Sequence, residues 1–399
     1  MSGNAIPIAR PLIGEPEAEA ARRTVLSGWL TQGPQVAAFE NAFAEYVGAP
    51  HACAVSNCTV ALHLALLAVG VGQGDEVVTV SHSFVATANS VLCCGATPIF
   101  VDIEPATFNI DPDLVAAAIT PRTKAILCVH QMGMPCDLES LLRVARAHGV
   151  PLVEDAACAI GSEVRTEAEA WELIGRPRGD IACFSFHPRK IVTTGDGGML
   201  TTANPEWDRL FRLWRQHGMS VSDTARHGAQ HVVFEEYLMP AFNYRMTDLQ
   251  AAVGRLQLER LPDILARRRA LATDYRRLLA DIDDLGLPVE PAWARSNWQS
   301  FCVRLPDGVD QRAVMQAMLD QNVATRRGIM CAHLEPAYAR RSLRFPLPHS
   351  EEARDRCILL PLYPQMTEGD QEQVAASLKQ SIFLATRAAR GGGELCAAL

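Results

Sequence analysis

The chain is expected to fold as an α/β protein, a mainly parallel sheet with helices on both faces, followed by a smaller α+β lobe. Three features of the sequence predict this. Between residues 75 and 204, short apolar runs alternate with segments long enough for helices, and that alternation implies parallel strands joined by right-handed crossovers. Most of the runs are apolar without strict alternation, as in strands covered on both faces. After Thr247 the pattern changes to long, arginine-rich helical stretches.

Strands are expected at 77–80, 98–103, 124–130, 151–155, 181–186 and 198–202, with helices at 84–94, 111–119 and 137–148. A further helix opens around Ser56-Asn57-Cys58-Thr59, small polar residues of the kind that cap helix N-termini. Thr247 suits an N-cap, and Pro262 marks a kink or break in the helical stretch that resumes over 267–279. A strand near 300–305 and helices near 309–321 and 368–385 complete the smaller lobe. The expected division is a large domain over 1–255, a small domain over 256–390 and a flexible tail over 391–399, which begins with three glycines.

Composition narrows the function. An apolar content of 48% with 21% charged residues describes an ordinary globular protein. The net charge of −8 argues against a nucleic-acid partner, which calls for a basic face. No apolar run approaches the roughly 20 residues that span a bilayer, so no membrane is expected. The 12 cysteines include no Cys-x-x-Cys pair, and with no signal peptide they suggest reduced thiols in the cytoplasm. The 11 histidines show no metal-ligand spacing, and no metal is expected.

Lysine is nearly absent: Lys124, Lys190 and Lys379 stand alone among 37 basic residues. Lys190 ends Phe184-Ser185-Phe186-His187-Pro188-Arg189-Lys190, ahead of the glycine-rich Thr193-Thr194-Gly195-Asp196-Gly197-Gly198. Arginine keeps its proton at neutral pH, whereas lysine can lose it and form a Schiff base. A single lysine is ordinarily a solvated surface group, so the weight falls on its company. Asp155 ends the apolar run Leu152-Val153-Glu154-Asp155, where a carboxylate is costly unless paired. It reads either as a helix cap or as the partner of a cation over the sheet end, such as a protonated pyridine nitrogen. Lysine and carboxylate together suit pyridoxal phosphate (PLP), which needs an amine for its aldehyde and an acid for its ring nitrogen. The helix start at Cys58 and Thr59 offers free amides to a phosphate, and Ser185 a hydroxyl. Phe84 stands ready to cover the ring or to join the core.

In this order along 7–380, the chain resembles the DegT/DnrJ/StrS aminotransferases, PLP enzymes of fold type I. The resemblance rests on Ser27-Gly28-Trp29-Leu30-Thr31-Gln32-Gly33-Pro34, Ser83-Phe84-Val85-Ala86-Thr87, Glu154-Asp155-Ala156-Ala157, the Lys190 segment and Asn243-Tyr244-Arg245-Met246. It implies an aspartate-aminotransferase-like, seven-stranded type of sheet sandwiched by helices. It gives Lys190 the cofactor linkage and proton transfer, Asp155 the pyridine nitrogen and Phe84 the ring face. Thr59 and Ser185, with amides around Cys58, would hold the phosphate. Asn243 would reach the phosphate of a neighbouring subunit, which implies a homodimer with shared sites. Trp29, Leu30, His187 and Arg245 would border the substrate.

Several departures stand out. Cys58 replaces a usual glycine, so the turn is either ordinary or strained; Cys158 replaces a residue that touches the cofactor's ring oxygen; and 165–178 looks like an insertion. The resemblance implies transfer of an amino group, usually from glutamate, to a keto sugar, with PLP and pyridoxamine phosphate (PMP) alternating. The His187-Pro188 pair resembles members that act on nucleotide-linked hexoses. A cyclitol or free keto sugar as acceptor, or a PLP-binding regulator without turnover, stay open. The family's dehydratases carry histidine in place of this lysine.

Overall fold

The computed structural model describes residues 5–396, with side chains through 387. Helices α1 (Glu15–Ser27) and α2 (Pro34–Val47) lead into β1 (His51–Val55). Strand and helix then alternate: α3 (Cys58–Ala68), β2 (Glu76–Val80), α4 (Ala86–Cys93), β3 (Thr97–Val101), α5 (Pro112–Ala118), β4 (Thr123–Val129), α6 (Leu138–His148) and β5 (Leu152–Asp155). A hairpin of β6 (Glu163–Arg165) and β7 (Trp171–Leu173) precedes β8 (Ile181–Ser185) and β9 (Gly198–Thr202). Helices α7 (Pro205–Trp214), α8 (Asp223–Gly228), α9 (Asp248–Glu259) and α10 (Leu261–Leu278) then lead to β10 (Ala294–Arg295). The chain closes with β11 (Phe301–Arg304), α11 (Gln311–Asp320), β12 (Arg326–Arg327), α12 (Pro348–Arg356), β13 (Cys357–Leu360) and α13 (Glu368–Cys396).

The central sheet has seven strands in the order β1-β9-β8-β5-β4-β2-β3. All neighbours are parallel except β9, which runs antiparallel to both β1 and β8. The expected α/β class and mainly parallel sheet are therefore what the chain adopts. The exception has a local cause. Residues 186–197 join β8 to β9 without the helix that ordinarily carries a parallel crossover. That short return leaves Lys190 in a turn at the carboxyl end of β8.

Caps fix the helix starts. Asn57, Asp111 and Asp137 accept amides of their own first turns, and Thr247 with Gln250 forms a capping box on α9. The break near Pro262 falls at Arg260, and the proline sits in the first turn of α10, where its missing N–H costs nothing. The segment 165–178 is not a plain surface loop. It supplies β7 and the end of β6 to a second sheet, β10-β6-β7, in which Arg295 lies 3.9 Å from the Trp171 ring centre.

A third sheet, β11-β13-β12, packs with α10, α11 and α13 around Leu271, Tyr275, Phe301, Met318 and Ile358. Ile6 is buried in this second core and pairs with Val323, although it lies far upstream in sequence. The expected boundary at 255/256 falls inside α9. Helix α13 takes in 391–396 of the segment expected as a tail, and 397–399 lie outside the described residues. Among the described residues, no helix is long and apolar enough to cross a membrane.

Candidate active site

Sheet register brings the sequence-predicted residues to one edge. Asp155 of β5 pairs with Cys183 of β8, two residues before Ser185. Ser185, Gly198 and Val55 then lie opposite one another across β8, β9 and β1. Helix α3 begins just beyond Val55, so its first turn lies next to Ser185. Gly198 permits this approach: a Cβ there would stand 2.6 Å from the carbonyl carbon and oxygen of Asn57. Asn57 Oδ1 accepts the amide of Val60 at 3.1 Å. The amides of Cys58 and Thr59, at the helix start, have no intrahelical acceptor. Thr59 and Ser185 are both half-buried. Together these groups form a neutral, N–H-rich cradle at the positive end of a helix.

Cys58 leaves the turn unstrained. It is the first residue of α3, outside the left-handed region, and its buried thiol donates to the carbonyl of Cys183 at 3.7 Å. Burial pushes that thiol well above its usual pKa.

Asp155 is 5% exposed. Its Oδ2 accepts from Thr87 Oγ1 at 2.7 Å, and its Oδ1 from the amide of Ala157 at 3.2 Å. Burial pushes its pKa up, against the opposing pull of Thr87, Ala157 and Lys190. An ionised carboxylate can take four hydrogen bonds, so Asp155 is short of partners. Thr87 lies in α4, three residues after Phe84. Phe84 itself is 63% exposed on the connection between β2 and α4.

Lys190 Nζ donates to Cys158 Sγ at 3.0 Å. Burial alone would lower the pKa of this amine, but Cys158 and Asp155 more than offset it and the value is raised. His187 is half-buried beside the lysine. Its carbonyl accepts the Lys190 amide at 2.8 Å and its Nδ1 the Arg189 amide at 3.2 Å. Burial, followed by Arg189, lowers the His187 pKa.

The remaining expected residues gather around the start of α9. The amide of Asp248 donates to the carbonyls of both Leu30 and Thr31 at 3.2 Å. The Trp29 indole donates to the Gln32 carbonyl at 3.2 Å and meets His227 edge-on at 5.2 Å, while Leu30 is 45% exposed. Gln250 Nε2 reaches the Asp196 carbonyl at 2.8 Å, which ties this group to the turn after Lys190. Arg245 bridges to Val55 through its backbone. Asn243 is exposed and bridges to Gln216, whose side chain meets Gln32 at 3.2 Å. Among the described residues, no hydrogen bond joins the Asn243 side chain to Thr59, Ser185 or Lys190. Sequence reasoning missed Thr87 and Asp248. A hydroxyl three residues beyond the motif aromatic was the only signal for Thr87, and Asp248 was hidden behind its capping neighbour.

The donor set suits PLP. The amine of Lys190, the underpartnered carboxylate of Asp155 and the amides of α3 match its aldehyde, ring nitrogen and phosphate in kind. The family model for DegT/DnrJ/EryC1/StrS aminotransferases matches residues 11–379. The chain is 38% identical over 383 residues to the spore coat polysaccharide biosynthesis protein SpsC of Bacillus subtilis (strain 168), spanning 94% of this chain and 97% of that one. Among solved structures it is similar to the aminotransferase TlmJ from Streptoalloteichus hindustanus, at 36% identity and TM-score 0.87, over 96% of this chain and 100% of that one. The PLP form of Spr1654 from Streptococcus pneumoniae matches at 27% identity and TM-score 0.86, over 96% and 99% of the two chains. The chain belongs to the DegT/DnrJ/EryC1/StrS aminotransferase family and is a PLP-dependent aminotransferase.

Proposed function

We propose that the chain moves an amino group from an amino acid, L-glutamate, to the carbonyl of a nucleotide-linked keto sugar in amino-sugar biosynthesis. The observation that carries this reading is that Lys190, in the turn after β8, and a desolvated, underpartnered Asp155, at the end of β5, lie at the carboxyl ends of neighbouring strands. Similarity to SpsC, named for polysaccharide biosynthesis, supports a sugar as the acceptor.

When bound, PLP supplies an electron sink that makes the donor's Cα–H acidic. Lys190 Nζ holds the cofactor, takes the proton from the donor's Cα once freed, and later returns a proton to the sugar carbon. Asp155 keeps a proton on the ring nitrogen, and Thr87 orients the carboxylate. The amides of Cys58 and Thr59, with the Ser185 hydroxyl, bind the phosphate. Phe84 covers the ring, Cys158 lies beside the amine, and Trp29, Leu30, His187 and Arg245 border the acceptor.

In the same reading the protein works as a homodimer, and the exposed Asn243 of each protomer serves the phosphate held by the other. Mixing Asn243→Ala with Lys190→Ala chains should then restore activity, up to about half that of a native dimer per mixed dimer. No recovery in verified mixed dimers removes the shared site.

The test of the activity is direct. Purified protein loaded with PLP is incubated with L-glutamate, and conversion to PMP is followed by absorbance. The PMP form is then offered nucleotide-linked keto sugars, free keto sugars and cyclitol ketones in parallel. Failure to convert with any amino acid would leave a binding protein without turnover. Preference for a free sugar or cyclitol would replace the acceptor.

A further inference from the structure

One short segment from the second lobe touches both loops that meet at Lys190. Residues 296–299 lead the chain from β10 towards β11. Gln299 straddles the lysine: its Oε1 accepts the Ile191 amide at 3.1 Å, and its Nε2 donates to the Arg189 carbonyl at 2.6 Å. Asn297, fully buried, does the same for the loop of Cys158. Its Nδ2 donates to the carbonyls of Cys158 and Ile160, both at 2.8 Å, and its Oδ1 accepts the Gln299 amide at 2.8 Å. Two side-chain amides, two residues apart, thus hold the backbones whose side chains meet at the Lys190–Cys158 contact.

The segment is itself held tightly. Trp298, between the two amides, has a φ of 54°, and its indole is buried in the second core, stacked on Phe301. A bulky residue in that left-handed region costs about 1–3 kcal/mol and persists only where its surroundings over-determine it. Arg268 of α10 supplies the constraint. It is 5% exposed, and it donates through Nε to the Trp298 carbonyl and through Nη2 to the Gln299 carbonyl, both at 2.8 Å. Burial lowers the Arg268 pKa to about 10, which still leaves it charged at neutral pH. Gly133 makes room, because a Cβ there would overlap Asn297 Oδ1.

We propose that Gln299, registered by Arg268 and Asn297, is a positioning residue for Lys190, so that the second lobe sets where the reactive amine stands. This rests on the reading that Lys190 carries the chemistry. Both polar atoms of the Gln299 side chain bond to the peptides flanking the lysine, Oε1 to the one that follows it and Nε2 to the one that precedes it. Its loss should therefore act on rate and not on binding. A misplacement of about 1 Å at a reacting group can cost on the order of 10²-fold.

The composition makes the test clean, because the chain has only Lys124, Lys190 and Lys379 to label. Full-length native protein, Gln299→Ala and Gln299→Glu are compared in three measurements. These are the rate at which PLP becomes borohydride-reducible at Lys190, read by mass spectrometry, kcat and KM with L-glutamate, and the melting temperature. For Gln299→Ala we expect capture slowed at least roughly fivefold and kcat lowered roughly 10- to 100-fold, with KM within about twofold. Gln299→Glu keeps the acceptor for Ile191 but cannot donate to Arg189, and should fall between.

A lower melting temperature with native capture and native kcat would make the role merely structural and overturn the proposal. Should the alanine variant not fold, native values in the glutamate variant overturn it equally. Native protein that captures no PLP at Lys190 defeats the functional reading, and this one with it. Native capture matched by Gln299→Ala defeats this proposal alone.

Discussion

Two buried aspartates, Asp248 at the start of α9 and Asp155 at the end of β5, meet the same desolvation cost in opposite ways. Asp248, 2% exposed, accepts the amides of Gly33 at 2.8 Å and Val36 at 3.0 Å on one oxygen, and that of Gln35 at 3.1 Å on the other. These are amides at the start of α2, so the charge sits at the positive end of a helix and completes its orphan donors. Asp155 has one hydroxyl and one amide. Glu40 shows a third solution, an ion pair with Arg212 and Arg215. A carboxylate with its donors complete needs no cation, whereas one left short retains capacity for one. The contrast separates a carboxylate that builds the fold from one that the fold holds in reserve.

Lys190→Ala strikes the site end of this contrast hardest. Turnover should fall about 10³-fold or more, with circular dichroism unchanged, since among the described residues Nζ bonds only to Cys158. A variant retaining a tenth of native turnover would dislodge Lys190 from its role.

Asp155→Asn comes next, and here activity and stability should part. The folded pKa of Asp155 lies above its unfolded value. Its contribution to stability is therefore fully present below the unfolded pKa and is lost as pH rises through the folded one. Once ionised, the carboxylate works against the cofactor-free fold. Asparagine should raise the melting temperature of that form, with the gain shrinking towards acid pH, while kcat falls about 10²- to 10³-fold. A lowered melting temperature at pH 7 would place Asp155 with Asp248 as a structural group.

What the sequence disclosed follows the same division. Strands β2, β3, β4, β5, β8 and β9 were legible because runs such as 77–80 are buried on both faces and read as mostly apolar stretches without strict alternation. Strand β1, His-Ala-Cys-Ala-Val, carries small residues that give little strand signal, and it was not anticipated. Strands β6, β7, β10 and β12 have two or three residues each, too few for any periodicity, and exist through pairing alone. Asp155 stood out because a charge ended an apolar run. Thr87 did not, since a threonine in the first turn of a helix is ordinary. The partners of Asp248 and Gln299 lie 215 and 110 residues away, and no local pattern encodes such contacts.

Asp248→Ala probes the structural end. It orphans three amides at the start of α2, while the backbone amide that holds the Leu30 and Thr31 carbonyls is kept. The loss should be about 2–4 kcal/mol in urea unfolding, with a smaller effect on kcat than Asp155→Asn has. A change under about 0.5 kcal/mol, the range of ordinary surface substitutions, would show that water replaces the carboxylate without penalty.

The smallest effect belongs to Cys158. Its thiol meets Lys190 Nζ, but its backbone is fixed independently by the Asn297 side chain. The amine is thus already aimed by main-chain contacts on both loops, and the sulphur adds one more polar neighbour. Cys158→Ser keeps a polar neighbour in place, so kcat should stay within about threefold of native. Cys158→Ala removes it and should stay within about tenfold, or roughly 1.4 kcal/mol of barrier. Rates measured for both at saturating L-glutamate decide between sulphur and scaffold. A larger loss in the alanine variant, restored by serine, would mean that the side-chain contact and not the backbone frame holds the amine, and would move Cys158 to the same side of the comparison as Asp155.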